Sequence, residues 1–332
     1  MSGRAAGVAA FVLALLAGQA AAADGPAAAS APAPAASACP PASPVLSPDM
    51  LREGMRQAVD SGLLWKATRD GRAVYLYGTI HVAKVAWAFP GPRVVQALRA
   101  SDVVALELDM ADPGVLEHLR KAIARRPDAP ALAPGLQRRL QAQMDAACIA
   151  PEVLAPMRPE MQAVTLEVMQ GRASGLYAEF GIDGVLAGMG HALKKPVRSL
   201  ETPESQATLL VSDDPAETEA TVGAVMDELE GGKSPQMLQR LAGDWQRGDL
   251  DDLGGYASWC GCLDTPQQRA DFVKLVDERN PLMADKIVQW HAQGESLFVA
   301  VGSLHMLGRM GLPALLKARG FEVERVAFAE RR

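Results

Sequence analysis

Two apolar runs more than two hundred residues apart end in the same way, with a glycine, two further residues and a histidine. The first is VYLYGTIH, residues 74–81, and the second is LFVAVGSLH, residues 297–305. Each is rich in the β-branched, aromatic and aliphatic residues that favour strands, and each is broken by one glycine, Gly78 or Gly302. In an α/β fold a residue just past the carboxyl end of a strand stands in the crevice where such sheets bind ligands. His81 and His305 reach one crevice only if both ends of the chain contribute to one sheet. Two imidazoles gathered there are the beginning of a metal site. A third copy of the pattern, Gly188 to His191, has no strand before it and reads as a polar position near a helix end.

The amino terminus reads as a secretory signal over residues 1–23. Arg4 supplies the charge, residues 8–16 an apolar stretch too short to span a bilayer, and Ala21-Ala22-Ala23 a cleavage site. Residues 24–49 are mostly Ala, Pro and Ser and read as a flexible spacer. Residues 50–332 then form a single domain of about 280 residues in a periplasmic or secreted protein, not inserted in the membrane after signal cleavage. The net charge of -6, from 33 basic and 39 acidic residues, comes without a basic cluster and argues against a nucleic-acid partner.

Cys39, Cys148, Cys260 and Cys262 read as disulfide cysteines in an oxidising compartment, since Cys260-Gly-Cys262 lacks the spacing of a zinc knuckle. Sequence leaves the pairing open. The preferred pairing joins Cys148 to Cys260 or Cys262, because Cys39 lies in the spacer and the close pair is too tight to bridge internally without strain.

Apolar runs at 63–67 and 73–77 flank Asp70-Gly71, a hairpin signal. A helix over 93–99 precedes the buried-type strand DVVALELD, 102–109. Residues 113–175 read as a helical insertion, followed by a helix over 178–193 and a short strand over 197–200. Helices then run from 204 to 290, the last spanning 267–293 with an interruption near Pro281. Strand 297–301, helix 312–318 and strand 322–328 close the chain. The fold class is α/β: a central mixed, largely parallel sheet built from strands at both chain ends, flanked by helices.

Glu107 lies in an otherwise apolar run, and a carboxylate in a buried strand needs a partner or a cation. Asp109, two positions on, falls on the same face. Glu201 is a second strand-end carboxylate, directly before a helix N-cap candidate at Thr202. His118 and His291 lie in charge-rich helical surroundings and read as surface residues, and the methionines as core.

Five segments, LWKATRDGRAVYLYGTIHVAK, SDVVALELD, GIDGVLAGMGHALKKPVRSLETPESQ, LVDERNPLMADKI and FVAVGSLHMLGRMGLPALLKARGFEVERV, taken in order resemble the TraB/GumN family. That family is related to the Tiki-type metalloproteases and similar in outline to the erythromycin esterase and ChaN-type group. The resemblance implies a divalent-metal-dependent hydrolase, with manganese or cobalt preferred and zinc compatible, acting on a peptide or protein substrate in the cell envelope. It places His81, Glu107 and His305 as metal ligands. Arg279 and Asn280 match the family's Arg-Asn pair, while Glu201 and Gln206 match its Leu-Glu-Thr block. On this view Glu201, Arg279 and Asn280 are catalytic, with Glu201 orienting or deprotonating water and Arg279 stabilising an oxyanion. Asp183 stands where many members carry Glu, and His191 falls outside the motifs. The alternatives are a non-catalytic haem- or metal-binding envelope protein, as in ChaN-type relatives, and an interaction module in envelope polysaccharide or conjugation systems.

Overall fold

The hairpin forms where the Asp-Gly signal lies: β1 (Leu63–Arg69) and β2 (Arg72–Thr79) pair antiparallel around Asp70 and Gly71. Both turn residues have positive φ, the backbone of a turn whose twist matches that of the strands it joins. The computed structural model describes residues 39–328. The remaining strands are β3 (Val103–Leu106), β4 (Val197–Ser199), β5 (Leu297–Gly302) and β6 (Glu322–Arg325).

One six-stranded sheet takes them in the order β4-β3-β5-β2-β1-β6. β2, β5, β3 and β4 run parallel to one another, and β1 and β6 add antiparallel pairs at one side. Every residue of β3 and β5 is buried, as expected of central parallel strands covered by helices on both faces. The expected α/β architecture is therefore present, with strands from both chain ends in one sheet. Thr79 lies opposite Gly302 at the carboxyl ends of β2 and β5, so His81 and His305 emerge side by side.

Several boundaries differ from expectation. β3 stops at Leu106, three residues early, and beyond it Leu106 and Glu107 accept backbone hydrogen bonds from Leu200 and Glu201. The long helix expected over 267–293 is a helix Pro266–Phe272, a π-helical turn Val273–Asp277 and a helix Asn280–Ala292. Pro281 sits in the first turn of the latter, where a missing N–H costs nothing. The helical region after Pro113 has its own core, in which Leu140, Met144 and Leu166 pack on Val222, Val225 and Met226 of the helix Pro215–Gly231.

Three expectations are corrected. The disulfides are Cys39–Cys148 and Cys260–Cys262, with Cα separations of 5.6 and 5.1 Å. Gly261, at φ 63°, turns the chain so that residues only two apart come within the usual bridging range of about 4.4 to 6.8 Å. The end of the spacer is tied down by Cys39, and Leu46 packs on the main core. His291 is fully buried, its ring set edge-on to Phe321 at 4.9 Å, because the last turn of its helix lies under the segment leading to β6. The signal segment and spacer residues 24–38 lie outside the described residues.

Candidate functional site

The carboxyl ends of β2, β5 and β3 deliver His81, His305 and Glu107 to one place. The point where a Cβ on Gly302 would stand is 3.4 Å from Glu107 Oε1, 3.6 Å from His81 Nε2 and 3.6 Å from His305 Cδ2. Glycine at this position leaves a small hollow onto which both imidazoles and the carboxylate face. Its own N–H donates to Glu107 Oε1 at 2.8 Å.

Each imidazole is fixed through Nδ1. His81 Nδ1 lies 2.6 Å from Asp183 Oδ2, and Asp183 Oδ1 accepts from Thr79 Oγ1 at 2.7 Å. Asp183 is in the first turn of the helix Ile182–Ala192, where the helix dipole favours a carboxylate. His305 Nδ1 lies 2.7 Å from Asn280 Oδ1, and the Asn280 amide donates to Met310 O at 2.8 Å. The amide orientation makes Asn280 Oδ1 the acceptor, so His305 carries its proton on Nδ1. Its Nε2 accepts from Arg279 Nη1 at 3.2 Å.

Arg279 is the hub. Its Nε donates to Glu201 Oε1 at 2.8 Å, its Nη2 donates to both Glu201 Oε2 and Glu107 Oε2, and its Nη1 donates to Leu275 O at 2.8 Å. The π-helical turn before it aims the side chain inward, a common use of such bulges. Gln206 closes the cluster, donating to Glu201 Oε2 at 2.9 Å and Glu107 Oε2 at 3.1 Å. Gln206 is set by a capping box in which Thr202 and Ser205 satisfy each other's backbone N–H. The expected N-cap at Thr202 and the strand-end position of Glu201 both hold.

Burial sets the protonation states. His81, Glu107, Arg279 and His305 are between 4 and 6 % exposed. Burial by itself would raise the Glu107 carboxyl, but the Arg279 charge, helped by the two histidines, holds it well below the usual carboxylate range. Burial and the Arg279 charge push His305 down to about 3, so it is neutral. Burial would also lower His81, yet the charge and hydrogen bond of Asp183, with the Glu107 charge, outweigh it and raise the group.

The structure thus gathers His81, Glu107, Glu201, Arg279, Asn280 and His305, and adds Asp183 and Gln206 as positioning residues. The chemical reason for Asp183 is legible only once its helix is placed, because 102 residues separate it from His81. Asp109 does not share the site. β3 has already ended, so strand alternation no longer applies, and its carboxylate turns to His191 Nε2 at 2.8 Å and Ala111 N at 3.1 Å. His191 ends its helix half-exposed and His118 is exposed, as expected.

A divalent ion at this place would have to take its donors from the same residues. Among the described residues no group of three or more His, Cys, Asp or Glu side chains is arranged to hold a metal. Glu107 Oε1 and His305 Nε2 are 3.8 Å apart, but the lone pair of that nitrogen and the second oxygen of Glu107 are taken by the Arg279 guanidinium. As arranged, the donor set does not fit an ion.

These features define an α/β protein with a buried histidine, carboxylate and arginine cluster at the carboxyl ends of adjacent parallel strands. The chain belongs to the TraB/PrgY/gumN family, whose model matches residues 63–325. No curated protein and no solved structure matches it.

Proposed function

We propose that the protein is a hydrolase that adds water to an acyl carbon, with a peptide bond as the first substrate to test. The observation that carries this reading is the His81–Asp183 contact, which locks the imidazole with Nε2 towards the hollow beside Gly302. His81 Nε2 takes a proton from water as the oxygen attacks the carbonyl carbon. Asp183 stabilises the imidazolium, as an orienting carboxylate does. The oxyanion that forms faces the fixed charge of Arg279, in a setting where little water competes. His81 then returns the proton to the departing amine as the carbon–nitrogen bond breaks. Glu201, given the base role on resemblance, has both oxygens bound to Arg279 and serves to hold the guanidinium.

An exported location is compatible with two disulfides and with the lack, among the described residues, of a helix long and apolar enough to cross a membrane. The metal-dependent reaction implied by family resemblance is not part of this reading, because Arg279 takes the His305 nitrogen and the Glu107 oxygen that an ion would need. The test is a quenched-fluorescence peptide library incubated with the full chain, with chelator or with added manganese, cobalt or zinc. Cleavage that disappears in His81→Ala supports the reading. No cleavage by the wild type in any arm overturns it.

A further inference from the structure

We infer that the guanidinium of Arg279 is the resident cation of this site and that it excludes divalent metal ions from His81, Glu107 and His305. The inference concerns occupancy and stands whatever reaction the protein performs.

The lone pairs that an ion would need are already taken. A divalent ion held by two histidines and a glutamate needs an unprotonated nitrogen from each imidazole and an oxygen of the carboxylate, at about 2.0 to 2.2 Å. His305 Nε2 has one lone pair, and it points at Arg279 Nη1, 3.2 Å away. Turning the ring offers no second nitrogen, because Nδ1 is bound to Asn280. Glu107 Oε2 accepts from Arg279 Nη2 and Gln206, leaving Oε1, which already accepts from Gly302 N.

Charge points the same way. A divalent ion at the hollow would lie next to a guanidinium that cannot lose its proton. Arg279 is 6 % exposed and is gripped by two carboxylates and the Leu275 carbonyl. Withdrawing it would strip five donor groups of buried partners, which is costly for a charged group. Planar, bidentate pairing with Glu201 makes arginine better suited than lysine to this post.

The test is metal retention by the full chain. Wild type, Arg279→Gln and Arg279→Gln/His305→Ala proteins are equilibrated separately with manganese, cobalt and zinc, desalted and analysed for metal, with folding checked by circular dichroism. The expected result is no stoichiometric ion in the wild type, about one ion per chain in Arg279→Gln, and loss of that ion in the double variant. Cobalt also reports ligation through visible absorption, so a band in wild-type protein that vanishes in His305→Ala would overturn the inference. Folded Arg279→Gln that retains no ion would also overturn it, because exclusion would then not depend on the guanidinium. Should Arg279→Gln fail to fold, wild-type retention of one ion, lost in His81→Ala, overturns the inference, and its absence supports it.

Discussion

Asp183 Oδ2 stands 2.6 Å from His81 Nδ1, joining the first turn of one helix to the residue just past β2. The contact fixes both the ring plane and the nitrogen that faces the hollow. Asp183→Asn should keep the fold and lose about 10²- to 10⁴-fold in kcat with little change in KM, the range expected when a general base loses its orientation. Asp183→Glu should recover part of the rate. Steady-state kinetics on a cleaved peptide reads both, and a fall confined to KM would contradict the role.

Arg279 neutralises two carboxylates at once, the buried Glu107 and the partly buried Glu201. Arg279→Ala should lower unfolding stability by about 3 to 5 kcal/mol, because Glu107 and Glu201 are left without their counter-charge. His191→Ala should cost less than about 1 kcal/mol, since its partner contact with Asp109 is half-exposed on the histidine side. Urea denaturation of the two variants compares them directly.

Glu167 is fully buried where the helix Pro159–Met169 meets Pro215–Gly231, and its carboxyl is raised well above the ordinary value by burial and then by the Glu228 charge. A raised acid contributes stability that is complete below its unfolded pKa and is lost as pH rises towards the folded one. Glu167→Gln stays neutral throughout, so its melting temperature should exceed that of wild type by a few degrees at pH 7 and by little at pH 4. An equal shift at both pH values would contradict this linkage.

Cys39 and Cys148 close a loop with a sequence separation of 109. Chain-entropy reasoning assigns such a loop about 4 to 5 kcal/mol. Non-reducing peptide mapping should recover Cys39 linked to Cys148 and Cys260 linked to Cys262, and Cys148→Ser should melt below wild type. Recovery of a peptide linking Cys148 to Cys260 would reverse the assignment.

Much of this molecule was legible from residue order alone. The hairpin at Asp70-Gly71, the apolar strands expected over 73–77 and 297–301 and the helix Leu312–Ala318 follow from local periodicity and turn chemistry. With strands from both chain ends in one sheet, the meeting of His81 and His305 follows as well, while Glu107 is joined to them by resemblance. Tertiary structure alone decided which side chain holds which. Asp183 on His81, Asn280 on His305, Arg279 across Glu107 and Glu201, the two disulfides and the burial of His291 are all choices of partner. Local pattern reports the backbone's preference and the face a residue occupies. Desolvation and charge pairing depend on neighbours brought from distant segments, and only the packed sheet and its helices supply those.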